Sequence, residues 1–223
     1  MRKIITGLLG CLSLLAVLTT SGLASSDKGL SGYGPILGMS LAKQCEKDFS
    51  NSFKLGLALG GFVTYKFNSR LSLVGQLLFV QKGYRESNTD IFGPYRSKLT
   101  LDYIELPILA RYTFGSGTSR CFAFAGPAFG FKLGGKFSTE WDVETYESTD
   151  MSHYKGMDLG LVLGAGLAYP LCSGWLMFDL RFTWGLLNIY ANPDPGAAGG
   201  DIGISTAAIL FMFSYDLGMI KND

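Results

Sequence analysis

Charged side chains are scarce in this sequence. Of its 223 residues, 17% are Asp, Glu, Lys or Arg while 48% are hydrophobic, and the formal charge is +1. Soluble domains average about 25% charged residues, and the apolar content here excludes intrinsic disorder. No basic block occurs, so a nucleic-acid partner has no electrostatic footprint to bind. Histidine occurs once, at His153. A membrane-spanning helix is not expected either. Beyond the N-terminal region, the uncharged stretch that approaches the ~20 residues such a helix needs runs from Leu159 to Phe178. Pro170-Leu171-Cys172-Ser173-Gly174 breaks it with a turn, and before the break Leu159, Leu161, Leu163, Leu167 and Tyr169 alternate with small residues.

What the chain has in quantity is glycine, 30 residues, and aromatic rings, from 16 Phe, 11 Tyr and 3 Trp. Glycine costs a helix about 1 kcal/mol against alanine, whereas aromatic residues fit the pleated surface of a strand. The expectation is an all-β protein. Its N-terminus has the form of an export signal: Arg2 and Lys3, an apolar run from Ile4 to Leu18, then Gly22-Leu23-Ala24 with small residues at the cleavage-determining positions. Cleavage is expected after Ala24, leaving residues 25–223 as one barrel domain. A lipoprotein reading of Leu8-Leu9-Gly10-Cys11 leaves too short an apolar run before the cysteine. Of four cysteines, Cys45, Cys121 and Cys172 then remain, in a compartment where disulfides are permitted.

Period-two alternation recurs along the mature chain. Leu55, Leu57, Leu59, Val63, Tyr65 and Phe67 oppose Gly56, Ala58, Gly60, Phe62, Thr64 and Lys66. Leu71, Leu73, Leu77 and Phe79 oppose Ser72, Gln76 and Lys82; Ile104, Leu106, Ile108, Ala110, Tyr112 and Phe114 oppose Tyr103, Glu105, Leu109, Arg111 and Thr113. Leu176, Phe178, Leu180, Phe182 and Trp184 face away from Asp179, Arg181 and Thr183, and Ile209, Phe211, Phe213, Tyr215 and Leu217 away from Leu210, Met212, Ser214 and Asp216. Eight strands are expected, near 31–41, 54–67, 70–84, 98–114, 120–133, 156–169, 174–187 and 203–218, the first and fifth placed mainly by spacing. Short connections (68–69, 115–119, 170–173) alternate with long polar ones (42–53, 85–97, 134–155, 188–202). That asymmetry is what short periplasmic turns and longer external loops produce in an eight-stranded antiparallel up-and-down transmembrane barrel of the outer membrane. In lipid the apolar face points outward, and the glycines, alanines and few charges of the other face suit a narrow, filled interior. Tyr65, Phe67, Tyr112, Phe114, Tyr169, Trp175, Phe213 and Tyr215, near strand ends, would form the interfacial girdle. The soluble alternative, a lipocalin-like carrier, would use the same rings as core.

These segments resemble the Bacteroidetes-type outer-membrane β-barrel domain family, which includes PorT-like proteins. The resemblance rests on LLFVQKG (77–83), DYIELPILARYTF (102–114), Ala125-Gly126-Pro127, DLGLVLGAGL (158–167) and DLRFTWGLL (179–187), in this order across most of the mature chain. It implies an outer-membrane barrel and supplies architecture more than mechanism. Lys221-Asn222-Asp223 stand where barrels commonly carry a terminal aromatic assembly signal.

The inward faces gather Gln76, Glu105, Arg111, Asp158, Asp179 and Arg181. Charges in hydrocarbon surroundings must pair or meet water, so a paired network is expected, with Arg111 and Arg181 neutralised by Glu105, Asp158 or Asp179. Eight strands leave room for little more than side chains, so a wide pore is not expected. The expected role is structural or interactive, with loops presented outside; a narrow ion or small-ligand conduit is the alternative. Outer-membrane lipid and other envelope proteins are the expected partners, and no cofactor or metal is expected. An enzyme would resemble lipid-modifying barrels. His153 and Ser152, adjacent in a long loop, would point to opposite sides of an extended segment and are poorly placed as base and nucleophile. Glu140, Asp142, Glu144, Glu147 and Asp150 in that loop lack the spacing of a Ca²⁺ loop. Lastly, if Leu133 pairs roughly with Met157, Cys121 and Cys172 come nearly opposite on neighbouring strands, and a disulfide between them is expected, with Cys45 free.

Overall fold

The structure, a computed structural model, describes residues 28–45, 54–90, 93–115, 118–141, 145–149, 155–187 and 205–218. Nine strands occur among them: β1 (Gly29–Cys45), β2 (Lys54–Lys66), β3 (Leu71–Asp90), β4 (Gly93–Phe114), β5 (Arg120–Trp141), β6 (Thr145–Ser148), β7 (Met157–Leu171), β8 (Gly174–Gly185) and β9 (Ser205–Asp216). Eight close into a ring. Each pairs antiparallel with its neighbours in the chain, β5 with β7, and β9 returns to β1. The short β6 lies outside the ring, paired only with the far end of β5.

The register fixes the barrel's girth. Following paired residues from Gly32 through Thr64, Val74 and Leu109, across to Gly126, then through Val162, Thr183 and Ala208, returns to β1 at Ala42, ten residues from the start. A closed sheet with this stagger tilts its strands by about 35–45°, and eight strands enclose an interior just wide enough for side chains.

Lipid orientation follows from the burial pattern. Leu37, Leu55, Leu163, Trp184 and Phe213 are each at least half exposed on the outer face, while Ala58, Phe62, Leu109, Val162 and Met212 are buried within. That is the reverse of a lipocalin-like carrier. The outer apolar band ends toward the long loops where Gln81 donates to Asp102 Oδ1 at 3.0 Å across β3 and β4. At the short-turn end Tyr65 packs edge-on against Phe67, and Tyr112 against Phe114. Trp175 departs from the expected girdle. It lies opposite Asp216, on the inward parity of β8, and packs against the core instead of lipid.

Four strands run well past their expected bounds: β1 has 17 residues where 31–41 was expected, and takes in the start of the segment read as loop 42–53. β3 has 20 residues and β4 and β5 have 22 each, about twice the ~10 that cross a membrane. Segments read as the polar loops 85–97 and 134–155 are therefore partly strand, paired from Arg85–Lys98 to Asp90–Gly93 and from Leu99–Phe137 to Tyr95–Trp141. Beyond the bilayer no lipid demands an apolar face, so the ladder persists while the alternation that reveals it fades. A bulge at this transition, between Asp102 and Tyr103, leaves Leu133 without an opposite residue and reverses which face of β5 points inward.

The expected disulfide is absent: Cys121 and Cys172 are both free and exposed. The register explains it. Phe131, not Leu133, pairs with Met157, and Cys121 stands opposite Leu167. Cys172 lies five residues further on, in the two-residue turn between Leu171 and Gly174, with a left-handed backbone (φ 53°). At about 3.3 Å per residue, that offset exceeds the ~4.4–6.8 Å Cα separation a disulfide spans. Cys45 ends β1 opposite Ser205.

Candidate functional site: the barrel lumen

Inward-facing polar side chains form three tiers between the long loops and the short turns. In the first, Lys82 of β3 reaches across the lumen. Its Nζ lies 2.5 Å from Glu105 Oε1 of β4 and 3.4 Å from Asp158 Oδ2 of β7, with the Tyr103 ring 5.4 Å away. All four side chains are buried. One ammonium thus ties three strands together.

The second tier is a fork. Asp179 and Arg181 share the inner face of β8 two residues apart, and Arg181 Nε and Nη2 donate to the two carboxylate oxygens of Asp179 at 2.7 and 2.8 Å. Its Nη1 donates to Gln76 Oε1 at 2.7 Å, and the guanidinium lies over the Phe124 ring at 5.1 Å. A planar, bidentate pair of this kind is the strong form of charge-assisted hydrogen bonding.

Arg111 dominates the third tier. It donates to Ser72 Oγ at 3.3 Å, Thr64 Oγ1 at 3.4 Å and Met177 Sδ at 3.5 Å, and stacks over Phe122 at 5.6 Å. No carboxylate lies within ion-pair distance of it among the described residues. Asp216 and Asp179 attract it only from further off. At the rim below, Arg120 lies over the Trp175 ring at 4.3 Å.

All six residues expected to face inward as a network do share the lumen, but the pairing differs. Glu105 and Asp158 neutralise Lys82, not an arginine, and only Arg181 has the carboxylate partner expected of it. Lys82 belongs to the inner face by alternation, yet its role as the hub was not anticipated; its position opposite Leu101, near Tyr103 and Glu105, emerges only with the β3–β4 register. The aromatic seats were missed for a second reason. Phe122 and Phe124 point inward from the weakly alternating β5 because Gly166 and Gly164 of β7 vacate the space. A side chain at either glycine would collide with the ring tip it faces, Phe122 Cζ or Phe124 Cζ. The Phe-x-Phe spacing opposite Gly-x-Gly was the available signal.

A cavity of about 20 Å³ lies among Gln76, Leu109, Arg111, Phe124 and Arg181, and one of about 30 Å³ at the short-turn end, each room for a water molecule or two. Among the described residues no group of His, Cys, Asp and Glu is placed to hold a metal. Of the acidic loop residues, Glu147 pairs with Lys136 at 2.7 Å on the surface and Glu140 lies opposite Thr145. Asp142, Glu144, Asp150, Ser152 and His153 lie outside the described residues.

A closed ring of antiparallel strands with lipid-facing leucines and a filled polar lumen is the architecture of small outer-membrane barrels. The sequence profile of the outer membrane protein beta-barrel domain family matches residues 24–191. The chain belongs to this family. Its closing strand β9 lies beyond the matched residues. No curated protein matches the sequence. Among solved structures, this outer-membrane barrel is similar to OprG from Pseudomonas aeruginosa, with TM-score 0.47 and 12% identity over 86% of this chain and 98% of that one. It is also similar to Neisserial surface protein A, with TM-score 0.45 and 12% identity over 83% and 97%. Ail, the attachment invasion locus protein of Yersinia pestis, gives TM-score 0.42 and 11% identity over 83% and 98%.

Proposed function

We propose that this outer-membrane barrel works as a closed scaffold that raises a sheet and its loops above the bilayer for interaction with other envelope or surface components. It is neither a conduit nor an enzyme. The observation that carries this reading is the contrast between a lumen filled by locked charge clusters and strands β3, β4 and β5 that outrun the membrane. The motifs quoted above favour the PorT-like, Bacteroidetes branch of the family. Export with cleavage after Ala24 completes the reading, and N-terminal sequencing of the mature protein checks it.

Planar-bilayer recording tests the scaffold. The expected result is no stepwise conductance from the purified protein, together with labelling, on intact cells, of single cysteines placed at the exposed positions 96 and 98 on the raised part of β4. Stable channel openings that Lys82→Met enlarges would overturn the scaffold and establish the narrow ion conduit.

A further inference from the structure

At the short-turn end the lumen closes over a cavity lined by Lys66, Arg70, Arg111 and Arg120, with Phe122 and Trp175 as its apolar walls and Ser72 and Thr113 as its hydroxyls. No carboxylate lines it. Asp216, the one acidic side chain at this end among the described residues, is turned to the strand seam instead, where its Oδ1 accepts from Gly218 N at 2.9 Å. Arg111 and then Lys66 are close enough to attract it, Arg111 from beyond ion-pair distance. The two inner guanidiniums have rings where counter-ions would be expected, Arg111 on Phe122 and Arg120 on Trp175. Arg120 Nε is buried without a hydrogen-bond partner among the described residues. Arg111 has only two hydroxyls and a thioether, at 3.3 to 3.5 Å.

A buried guanidinium without an anion is costly, and a planar fork of N–H donors matches an oxyanion better than a hydroxyl. The cavity is too small to enclose a metabolite but is open enough for the oxygens of a group presented at its rim. That rim touches the lipid boundary: Arg70 lines the cavity and also donates from Nη1 to the hydroxyl of Tyr112, on the outer face, at 3.5 Å. In outer-membrane barrels the short turns are periplasmic, so this rim lies at the level of the inner-leaflet phosphates.

We propose that the short-turn mouth is a phosphate site, in which Arg111 and Arg120, backed by Lys66 and Arg70, take the oxygens of a phosphate group from the periplasmic side. The chemistry is common to a lipid headgroup and to free phosphate, and two arms separate them. Trp175 is a built-in reporter. In a protein whose other tryptophans are replaced (Trp141→Phe, Trp184→Phe), its emission is followed in phosphatidylcholine vesicles as inorganic phosphate replaces chloride at constant ionic strength. It is then followed in vesicles with and without a fifth of phosphatidylglycerol. A saturable phosphate response, weakened at least tenfold by Arg120→Gln, assigns the site to free phosphate. A response to phosphatidylglycerol alone, lost in the same variant, assigns it to the headgroup. Arg120 lies at a strand start, so its variant should fold, and Arg70→Gln is a second test that leaves the lumen intact. No response in either arm, or responses unchanged by both substitutions, overturns the proposal.

Discussion

Lys82 and Arg111 are both buried cations on inward faces of adjacent strands, β3 and β4. Lys82 sits between two carboxylates and Arg111 has none within ion-pair distance among the described residues. The carboxylates that form ion pairs within the lumen lie at the long-loop and central tiers, where strands are held in register around one ammonium or one guanidinium. Near the short turns Arg111 has only neutral hydroxyls, a thioether and an aromatic face. One end of the lumen is electrostatically complete and the other is left positive, so the interior is better described as a plug with an unsatisfied end than as a uniform filling.

The sharpest way to break this comparison is Lys82→Met. It leaves Glu105 and Asp158 facing each other in a dry interior, and an uncompensated buried charge costs on the order of 3 to 5 kcal/mol. Urea unfolding from lipid vesicles should show a loss of that size; a loss under about 1 kcal/mol would mean that water reaches this tier. Next in size is the outer wall that makes the tiers matter. Leu180 is 45% exposed on the lipid face and Leu109 is 2% exposed within. Leu180→Arg at mid-membrane should cost about 2 to 4 kcal/mol, and lipid-borne quenchers should reach a fluorophore at position 180 but not at 109. The opposite quenching pattern would invert the barrel. Asp179→Asn should be milder, about 1 to 3 kcal/mol, because Gln76 still accepts from Arg181. Arg111→Met should cost least, within about 1 kcal/mol in phosphatidylcholine, since it breaks no ion pair and removes only a longer-range attraction to Asp216 and Asp179. A loss as large as that of Lys82→Met would erase the distinction between the two ends.

How far the sequence reaches depends on what reads it. Where lipid lies on one side and packed side chains on the other, as from Leu55 to Phe67 or Leu176 to Trp184, alternation is enforced and both strand and facing are legible. Past Gln81 and Asp102 that constraint ends, and the raised parts of β3, β4 and β5 are ladders without a pattern. Within the lumen, parity told which side chains meet but not which pair, because pairing depends on register: a two-residue shift between β5 and β7 widens the offset of Cys172 from the residue opposite Cys121 to five, and the expected disulfide gives way to two free thiols. Phe122 and Trp175, turned inward against the rule that rings face lipid, could be placed only with their opposite residues, Gly166 and Asp216, in view.

The ring is sealed by its two most distant strands, with Ile36 meeting Ser214 and Ala42 meeting Ala208. Until β9 arrives, β1 and β8 each offer a bare edge of N–H and C=O groups for which hydrocarbon has no substitute, so the earlier strands have no stable place in the bilayer by themselves. Insertion is therefore coupled to the arrival of β9: the strands cannot be added to the bilayer one at a time, and a polypeptide that stops before residue 205 is an outer-membrane protein in composition with no membrane-embedded state to fold into.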